Sequence, residues 1–208
     1  MYMPPKTGSE FVPPPAGTHM AICYRVIDLG TQQSEWQGKP KRQHKVLLSW
    51  ELPDELMEDG RPFMVNQRYT LSSSEKSRFR QDLESWRGKK FEDSEFGPGG
   101  FDIRKLLGVS CLLGIVHVHK DDNTYANISS IVKLPKNMLA AKPVNPPVFF
   151  DLAAFDRAVF EALSDGLKQV IIRSPEYHAT ISGQSGEPIS DAPPPASEED
   201  YGGSNIPF

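Results

Sequence analysis

The stretch PFMVNQRYTLSSSEKSRFRQDLESWRG, residues 62–88, changes its apolar period halfway along. Residues 62–71 place apolar side chains at mostly alternate positions, which predicts a strand with one apolar face. Residues 72–88 open at Ser72 with a Ser-x-x-Glu capping box, and Gly88 predicts where the helix ends. Between these two signals, one apolar helical face is formed by Phe79, Leu83 and Trp86.

Strands also lie on both sides of this stretch. Two precede it, over 18–29 and 43–52, and a long polar loop, 30–42, lies between them. Two follow it, over 109–120 and 124–134, around a turn-forming Asp-Asp-Asn. Three strands, a helix and two strands follow the connectivity of an OB barrel. We therefore predict an all-β fold with appended helices, built on a five-stranded OB-fold barrel with a helix between strands 3 and 4.

The two ends of the chain differ from this body. Pro, Gly, Ser and acidic residues dominate the C-terminal end, which cannot bury enough surface to order itself. Apolar residues at helical spacing predict helices over 151–163 and 165–173, whose apolar faces need burial against the barrel, which we favour, or in an oligomer. The predicted organisation is a flexible N-terminal arm over 1–17, an OB-fold domain over 18–134, a linker and helical extension over 135–179, and a disordered acidic tail over 180–208.

Charge is distributed unevenly along the 208 residues, whose formal net charge is −4. Residues 1–140 carry 19 Lys and Arg against 17 Asp and Glu, whereas residues 141–208 carry 4 against 10. Net charge therefore does not argue against a nucleic-acid partner, because the basic clusters lie in the near-neutral body.

Compartment signals favour the cytoplasm. Residues 1–15 hold a single lysine and no apolar run of the kind that marks a secretory signal. No stretch approaches the roughly 20 apolar residues that a membrane span needs. Cys23 and Cys111 have neither metal-type spacing nor a disulfide framework around them.

The chain ends in an acidic cluster, a Gly-Gly-Ser-Asn spacer and an apolar tripeptide. The residues of the cluster and the tripeptide are Glu198, Glu199, Asp200, Ile206, Pro207 and Phe208. This ending resembles the C-terminal tip of bacterial single-stranded-DNA-binding proteins, in which the acids run almost up to Ile-Pro-Phe. The resemblance implies docking of replication and recombination proteins, with Phe208 as an aromatic anchor and its α-carboxylate as a partner for Arg or Lys. The alternative is a polar tail that ends in Phe by chance.

Three segments of the body carry a second resemblance. They are PPAGTHMAICYRVIDLGTQ (14–32), KVLLSWELP (45–53) and LSDGLKQVIIRSPEY (163–177). They resemble the OB-type single-stranded-DNA-binding proteins of phage and prophage replication modules. The resemblance implies a protein that coats single strands during DNA replication, recombination and repair. It also implies the bacterial host cytoplasm as the location, if the chain is phage-encoded.

Binding single strands without sequence preference needs positive charge for phosphates and exposed rings for base stacking. The densest basic cluster lies around the end of the predicted loop and consists of Lys39, Lys41, Arg42 and Lys45. Trp36 precedes the cluster in polar surroundings and is the main stacking candidate. The alternative for this residue is a ring that folds back to cap the barrel.

Three further residues complete the predicted DNA-binding set. Arg68 lies opposite the apolar face of the third strand and should point outward beside Lys45, unless it is an ordinary surface arginine. His117 and Tyr125 flank the fourth-to-fifth turn, with edge-strand packing as the alternative for Tyr125. His117 and His119 share a strand face but lack a third ligand, so we expect neither a metal nor a cofactor.

These patterns favour a DNA-binding protein over an enzyme. The sequence has no metal-spaced carboxylate set, Walker loop or supported catalytic triad. The alternative function is an OB-fold adaptor that binds proteins of a replication or recombination complex, with the helices at 151–173 as its interface. The sequence leaves the oligomeric state open, a homo-oligomer included.

Overall fold

A computed structural model describes residues 12–36, 38–96, 99–121 and 123–185, without the side chains of residues 36, 184 and 185. The strands are β1 (Gly17–Trp36), β2 (Lys39–Leu56), β3 (Pro62–Thr70), β4 (Ser110–Lys120), β5 (Asn123–Lys133) and β6 (Val148–Phe150). The α-helices are α1 (Arg78–Arg87), α2 (Arg157–Glu161), α3 (Asp165–Ile172) and α4 (Pro175–Ser185). Short 3-10 turns lie at Asp93–Phe96, Ile103–Leu106 and Leu152–Ala154.

The strands form one mainly antiparallel sheet with the order β3-β2-β1-β4-β5. β1 is the longest strand, and different parts of it have different neighbours. Its first residues, 17–22, pair with β4, whereas residues 25–27 pair in parallel with β6. Almost the whole strand from residue 22 onward pairs with β2. The fold is therefore a six-stranded sheet with a few helices.

The expectation of a closed barrel is wrong for the described part of the chain. β3 and β5 end the strand path, and no ladder joins them there. Arg78, at the start of α1, donates from Nη2 to the carbonyl of Ile128 in β5 over 2.8 Å. A helix side chain, and not β3, therefore pairs with the β5 backbone at this point, and the sheet is open.

The polar stretch 30–42 is not a loop. β1 and β2 continue through it as a hairpin, with Thr31 opposite His44 and Trp36 opposite Lys39. Gly38, at φ +73°, lies in the turn between them. Polar residues on both faces obscure the period of a strand, so composition alone suggests a loop where cross-strand pairing extends the ladder.

The main core lies between the sheet and α1. Phe79, Leu83 and Trp86 of α1 are buried, as their spacing predicts, and the ring centroids of Trp86 and Trp50 are 5.7 Å apart. Trp50 and Tyr69 are 0% and 3% exposed, which confirms that both belong to the core. Burying rings of this size is a large part of what stabilises such a sheet.

The capping box at Ser72 does not start the helix. α1 begins at Arg78, and Ser77 is its N-cap. The Ser72 hydroxyl accepts from the backbone N–H of Ser74, and the Ser74 hydroxyl accepts from that of Lys76. These local serine turns compete with helical hydrogen bonds, which explains why residues 72–77 form a loop. The helix ends at Gly88, in the left-handed conformation at φ 68°, as predicted.

The C-terminal helices cover the other face of the sheet. Strand residues Ile27, Leu29 and Leu47 join a second buried cluster with residues of β6 and the segment after it. Those residues are Phe150, Leu152, Phe160, Leu163, Leu167 and Ile171. Gly30, at φ +67°, permits this contact, because a Cβ there would come within 2.5 Å of the Ser174 Cβ.

Two boundaries in the helical extension differ from the expectation. The stretch 151–163 is broken, because the Asp156 carboxylate accepts from the backbone of Ala158 and Val159 and so caps a new helix, α2. Pro175 is the first residue of α4. Backbone N–H groups in a first helical turn make no intrahelical hydrogen bond, so the missing N–H of proline costs nothing there. α4 continues to Ser185, so the expectation of disorder from residue 180 is wrong for residues 180–185.

The linker is fixed to the sheet by a buried carboxylate. Glu51, which is 0% exposed, accepts from the backbone N–H groups of Val144 and Asn145 and from the Asn145 side chain. These three bonds hold the end of the linker against the sheet, immediately before β6.

A second polar contact, which we call the clamp, ties α4 to the β1–β2 hairpin. His44 lies 2.7 Å from an Asp28 oxygen and 3.6 Å from a Glu176 oxygen. The backbone N–H of Thr31 donates to the Glu176 carboxylate over 2.8 Å. The hydrogen bond to Asp28 raises the pKa of His44, which favours the charged form of the ring between these two acids.

Candidate nucleic-acid interface

The basic cluster of the β1–β2 hairpin is on the surface. Lys39, Lys41 and Arg42 are exposed and Lys45 is half-buried. Side chains alternate along a strand, so the three lysines lie on one face of β2 and Arg42 lies on the other. Within the described residues none of the four is in a salt bridge. The side chain of Trp36, the main stacking candidate, lies outside the described part.

Arg68 is next to this cluster, but it is less exposed than expected. It lies opposite Leu47 on the neighbouring strand, and Thr70, two residues on, lies opposite Lys45. Arg68 and Lys45 therefore share a face and are diagonal neighbours. The helices cover Leu47, so Arg68 is half-buried at the border of that contact. Burial lowers the pKa of its guanidinium.

A cationic groove of about 460 Å³ runs from this border to the start of α1. Three cations line it, Arg68, Lys76 and Arg78. The remaining residues of its lining are neutral: Gln43, Tyr69, Thr70, Ser72, Ser74, Ser77 and Phe79. Because no carboxylate is among the described residues of its lining, the groove has a positive potential with several hydroxyl donors.

The start of α1 adds to that potential. Ser77 is the N-cap, but its hydroxyl accepts no cap hydrogen bond. Backbone N–H groups in a first helical turn carry partial positive charge and attract anions. Arg78 is held here by Asp82, whose Oδ2 is 3.3 Å from the Arg78 Nε and accepts from the Tyr69 hydroxyl over 2.8 Å. Arg78 is thus fixed in direction and still 55% exposed.

Lys76 and Arg78 are site residues that the sequence reasoning missed. A helix beginning at Ser72 would place both on an ordinary helical surface, whereas the loop 72–77 places them beside Arg68 of β3. The signal that could have found them is the serine run before Lys-Ser-Arg, since serines favour local turns over helix.

The fourth-to-fifth hairpin does not join this surface. Register places its tip beside the N-terminal end of β1, where Gly17 is opposite Ile115, whereas the basic hairpin is at the C-terminal end of β1. His117 pairs with Ala126 and Tyr125 with Val118, so His117 and Tyr125 lie on opposite faces of the hairpin. The structure therefore does not bring these two predicted contacts together. His117 donates from Nε2 to the carbonyl of Pro14 over 2.8 Å.

An aromatic pocket of about 190 Å³ lies next to the cationic groove. Its lining consists of Leu71, Ser72, Ser73, Phe79, Arg80, Leu83, Phe96, Phe101 and Ile103. Arg80 donates to Glu84 and to the carbonyls of Ser73 and Phe91, and its guanidinium lies 4.9 Å from the centre of the Phe96 ring. The pocket therefore offers rings, aliphatic groups and two serine hydroxyls, while three of the five N–H donors of its arginine are already engaged.

The two cysteines are buried thiols. Desolvation raises the pKa of Cys23 to about 12 and raises that of Cys111 further. Both are therefore neutral at ordinary pH. The described residues contain no group of three His, Cys, Asp or Glu side chains placed to hold a metal.

No family model matches the sequence, and no curated protein matches it either. None of the helices in the described part has the length and apolarity that crossing a bilayer requires. The tip residues Glu198, Glu199, Asp200, Ile206, Pro207 and Phe208 lie outside the described residues.

Proposed function

We propose that this chain binds single-stranded DNA without sequence preference and brings replication and recombination proteins to it through its C-terminal tip. The observation that carries the proposal is the cationic groove, in which Arg68, Lys76 and Arg78 are gathered and no described lining residue is a carboxylate. Such a surface attracts the phosphates of a nucleic-acid backbone, which supply most of the affinity in sequence-independent binding.

The basic hairpin extends the groove into a longer track. Lys45 is opposite Thr70, which lines the groove, and Lys41 and Lys39 continue along the same face of β2. A strand that crosses β3 and follows β2 would pass several cations in succession. A track of this kind contacts phosphates at many points and has no need to read base edges.

The strand order also supports the proposal. The path β3-β2-β1-β4-β5 has the neighbour relations of a five-stranded OB sheet whose last seam, β3 to β5, is unpaired. OB folds are often partly open, and many bind oligonucleotides on the face of strands 2 and 3. We propose that the body is an OB-type sheet opened at this seam, with α1 packed beneath it.

The adaptor alternative has less support than DNA binding. An adaptor would use the helices at 151–173 as its interface. The apolar residues of these helices face the sheet instead, and Leu167 and Ile171, for example, are both 0% exposed. We propose instead that protein partners bind the tip, with Phe208 as anchor and the acids 198–200 as a charged flank.

The test is binding of oligo-dT to the full chain over a series of salt concentrations. Wild-type affinity should fall steeply with salt. The double variant Lys76→Gln/Arg78→Gln should reduce the slope of log affinity against log salt by about 1.4, since each lost phosphate contact on a single strand removes about 0.7.

A matched control is available at the other end of the same helix. Lys89→Gln/Lys90→Gln removes the same charge just after α1, outside the groove lining, and should leave the salt slope unchanged. Equal losses in the two double variants would mean that net charge, and not the groove, governs binding. No measurable binding of the wild-type chain to oligo-dT would refute the proposed function.

A further inference from the structure

We infer that the aromatic pocket receives a nucleobase of the bound strand, while the phosphate of the same nucleotide lies in the cationic groove. This inference rests on the proposed function and adds to it the group that supplies affinity beyond charge. It assigns base contact to the β3–α1 loop and the start of α1, and not to Trp36 or Tyr125.

The two cavities share a wall. Ser72 and Phe79 line both the aromatic pocket and the cationic groove. A nucleotide joins a flat ring to a phosphate through one sugar, so a ligand held by both cavities needs these two chemistries side by side. Leu71, on the pocket lining, is 42% exposed, so the pocket opens to solvent.

The lining of the pocket suits a ring that is held by its faces. Phe79, Phe96 and Phe101 contribute aromatic surface, and base–aromatic stacking tolerates every base because each base has a π-face. Arg80 is poorly placed to read a base edge, because Glu84 and the Ser73 and Phe91 carbonyls take three of its five N–H donors and its side chain is only 7% exposed. Stacking would therefore supply most of the base contact, which agrees with binding that ignores sequence.

Phe101 is the ring best placed to test the inference. It is half-buried, and its ring packs edge-on with that of Phe91, with the ring centroids 5.1 Å apart. Phe79 is 5% exposed and packs on Tyr69, so changing it would disturb the core. Phe63 is a matched control, because it is also half-buried against the same core but lines neither cavity.

The experiment compares oligo-dT with an abasic sugar-phosphate oligomer of the same length, at one salt concentration, on the full chain. Phe101→Leu should lower the affinity for oligo-dT by about tenfold, the loss expected for one stacked base, and leave the affinity for the abasic oligomer within about twofold. Phe101→Trp, which keeps an aromatic ring, should restore oligo-dT binding. Arg78→Gln should lower the affinity for both oligomers, because it removes a phosphate contact.

Each other result has a distinct meaning. Equal losses of both oligomers in Phe101→Leu, or the same loss in Phe63→Leu, would overturn the inference and leave the proposed function standing. A peptide of residues 198–208 that binds the wild type but not Phe101→Leu, with oligo-dT binding unchanged, would assign the pocket to peptide and overturn the inference. If the wild type binds neither oligomer, the proposed function fails. Thermal unfolding of each variant verifies that the fold is retained.

Discussion

The cationic groove and the contact between the helical extension and the sheet use charge in different ways. In the helical contact, Glu51 is fully buried and three N–H groups surround it, while Asp28 and Glu176 flank His44. In the groove, Lys76 is exposed and has no salt bridge within the described residues. The helical contact satisfies its charges internally. The groove presents Lys76 to solvent, whereas Arg78 there also contacts Asp82 and the Ile128 carbonyl.

This difference separates structural charge from charge that can bind a ligand. A buried carboxylate with a full set of donors fixes backbone segments to one another, and removing it leaves those donors unpaired. An exposed cation without a partner contributes little to stability. Variants on the helical side should therefore change stability and not DNA affinity, and Lys76 variants should do the reverse. Arg78 variants should also lose the contacts with Asp82 and Ile128.

The largest expected effect is at Glu51. Glu51→Ala leaves the backbone N–H groups of Val144 and Asn145 without their acceptor at a partly buried site. We expect the free energy of unfolding to fall by about 4 kcal/mol, as measured by urea denaturation. Glu58→Ala, at an exposed position, should change it by less than about 0.5 kcal/mol. Equal stability of the two variants would show that the linker is not held by Glu51.

Gly30 should give the next largest effect. In Gly30→Ala the new Cβ would lie 2.5 Å from the Ser174 Cβ at a positive φ, so helix and hairpin must separate. We expect a loss of about 3 kcal/mol, combining overpacking with backbone strain. Gly60→Ala isolates the cost of backbone strain, because φ there is +81° and no described atom lies within 4 Å of the added Cβ. It should cost about 1 kcal/mol in the same assay.

If Gly30→Ala costs no more than Gly60→Ala, the close approach of Ser174 does not constrain the contact. Affinity for oligo-dT should be unchanged in both variants, since neither glycine lines the groove. A loss of DNA binding in Gly30→Ala alone would mean that the two regions are coupled.

Periodicity predicted the elements that bury one regular face. The strand at 62–71 and the helix face of Phe79, Leu83 and Trp86 are both present, because a period of two or of 3.6 is a local property of the chain. The hairpin through 30–42 was missed because its residues are polar on both faces. The helix start was misplaced because serine turns and a capping box use the same residues.

The site was predictable only in part, for a different reason. Lys39, Lys41 and Lys45 lie close together in sequence, and a single strand is enough to place all three on one face. The groove instead depends on where the loop 72–77 falls relative to Gln43 on β2, which is a long-range contact. The separation of His117 from Tyr125 depends on hairpin register, because a shift of one residue moves a side chain to the other face.

The smallest expected effect is a pH dependence that arises from the clamp. The hydrogen bond to Asp28 raises the pKa of His44, burial opposes the shift, and the charges of Asp28, Glu176 and Asp151 add to it. A group whose folded-state pKa is raised stabilises the fold fully below its unfolded value, here 6.5, and loses that contribution as pH rises through the folded value. The stability difference between wild type and His44→Gln should therefore be larger at about pH 5.5 than at about pH 8.5.

The His44 side chain is 34% exposed, so solvent screens the charge pair and the pH effect should be smaller than the other two. Urea denaturation of both proteins at the two pH values measures it, and subtracting the variant removes the titration of the groups that do not interact with His44. A difference that grows with pH would reverse the sign and exclude a charged His44 in the clamp. If the affinity for oligo-dT followed the same pH profile, the position of the hairpin cations would depend on the clamp. Structural charge and ligand-binding charge would then not be separate on β2, which carries both His44 and the three lysines.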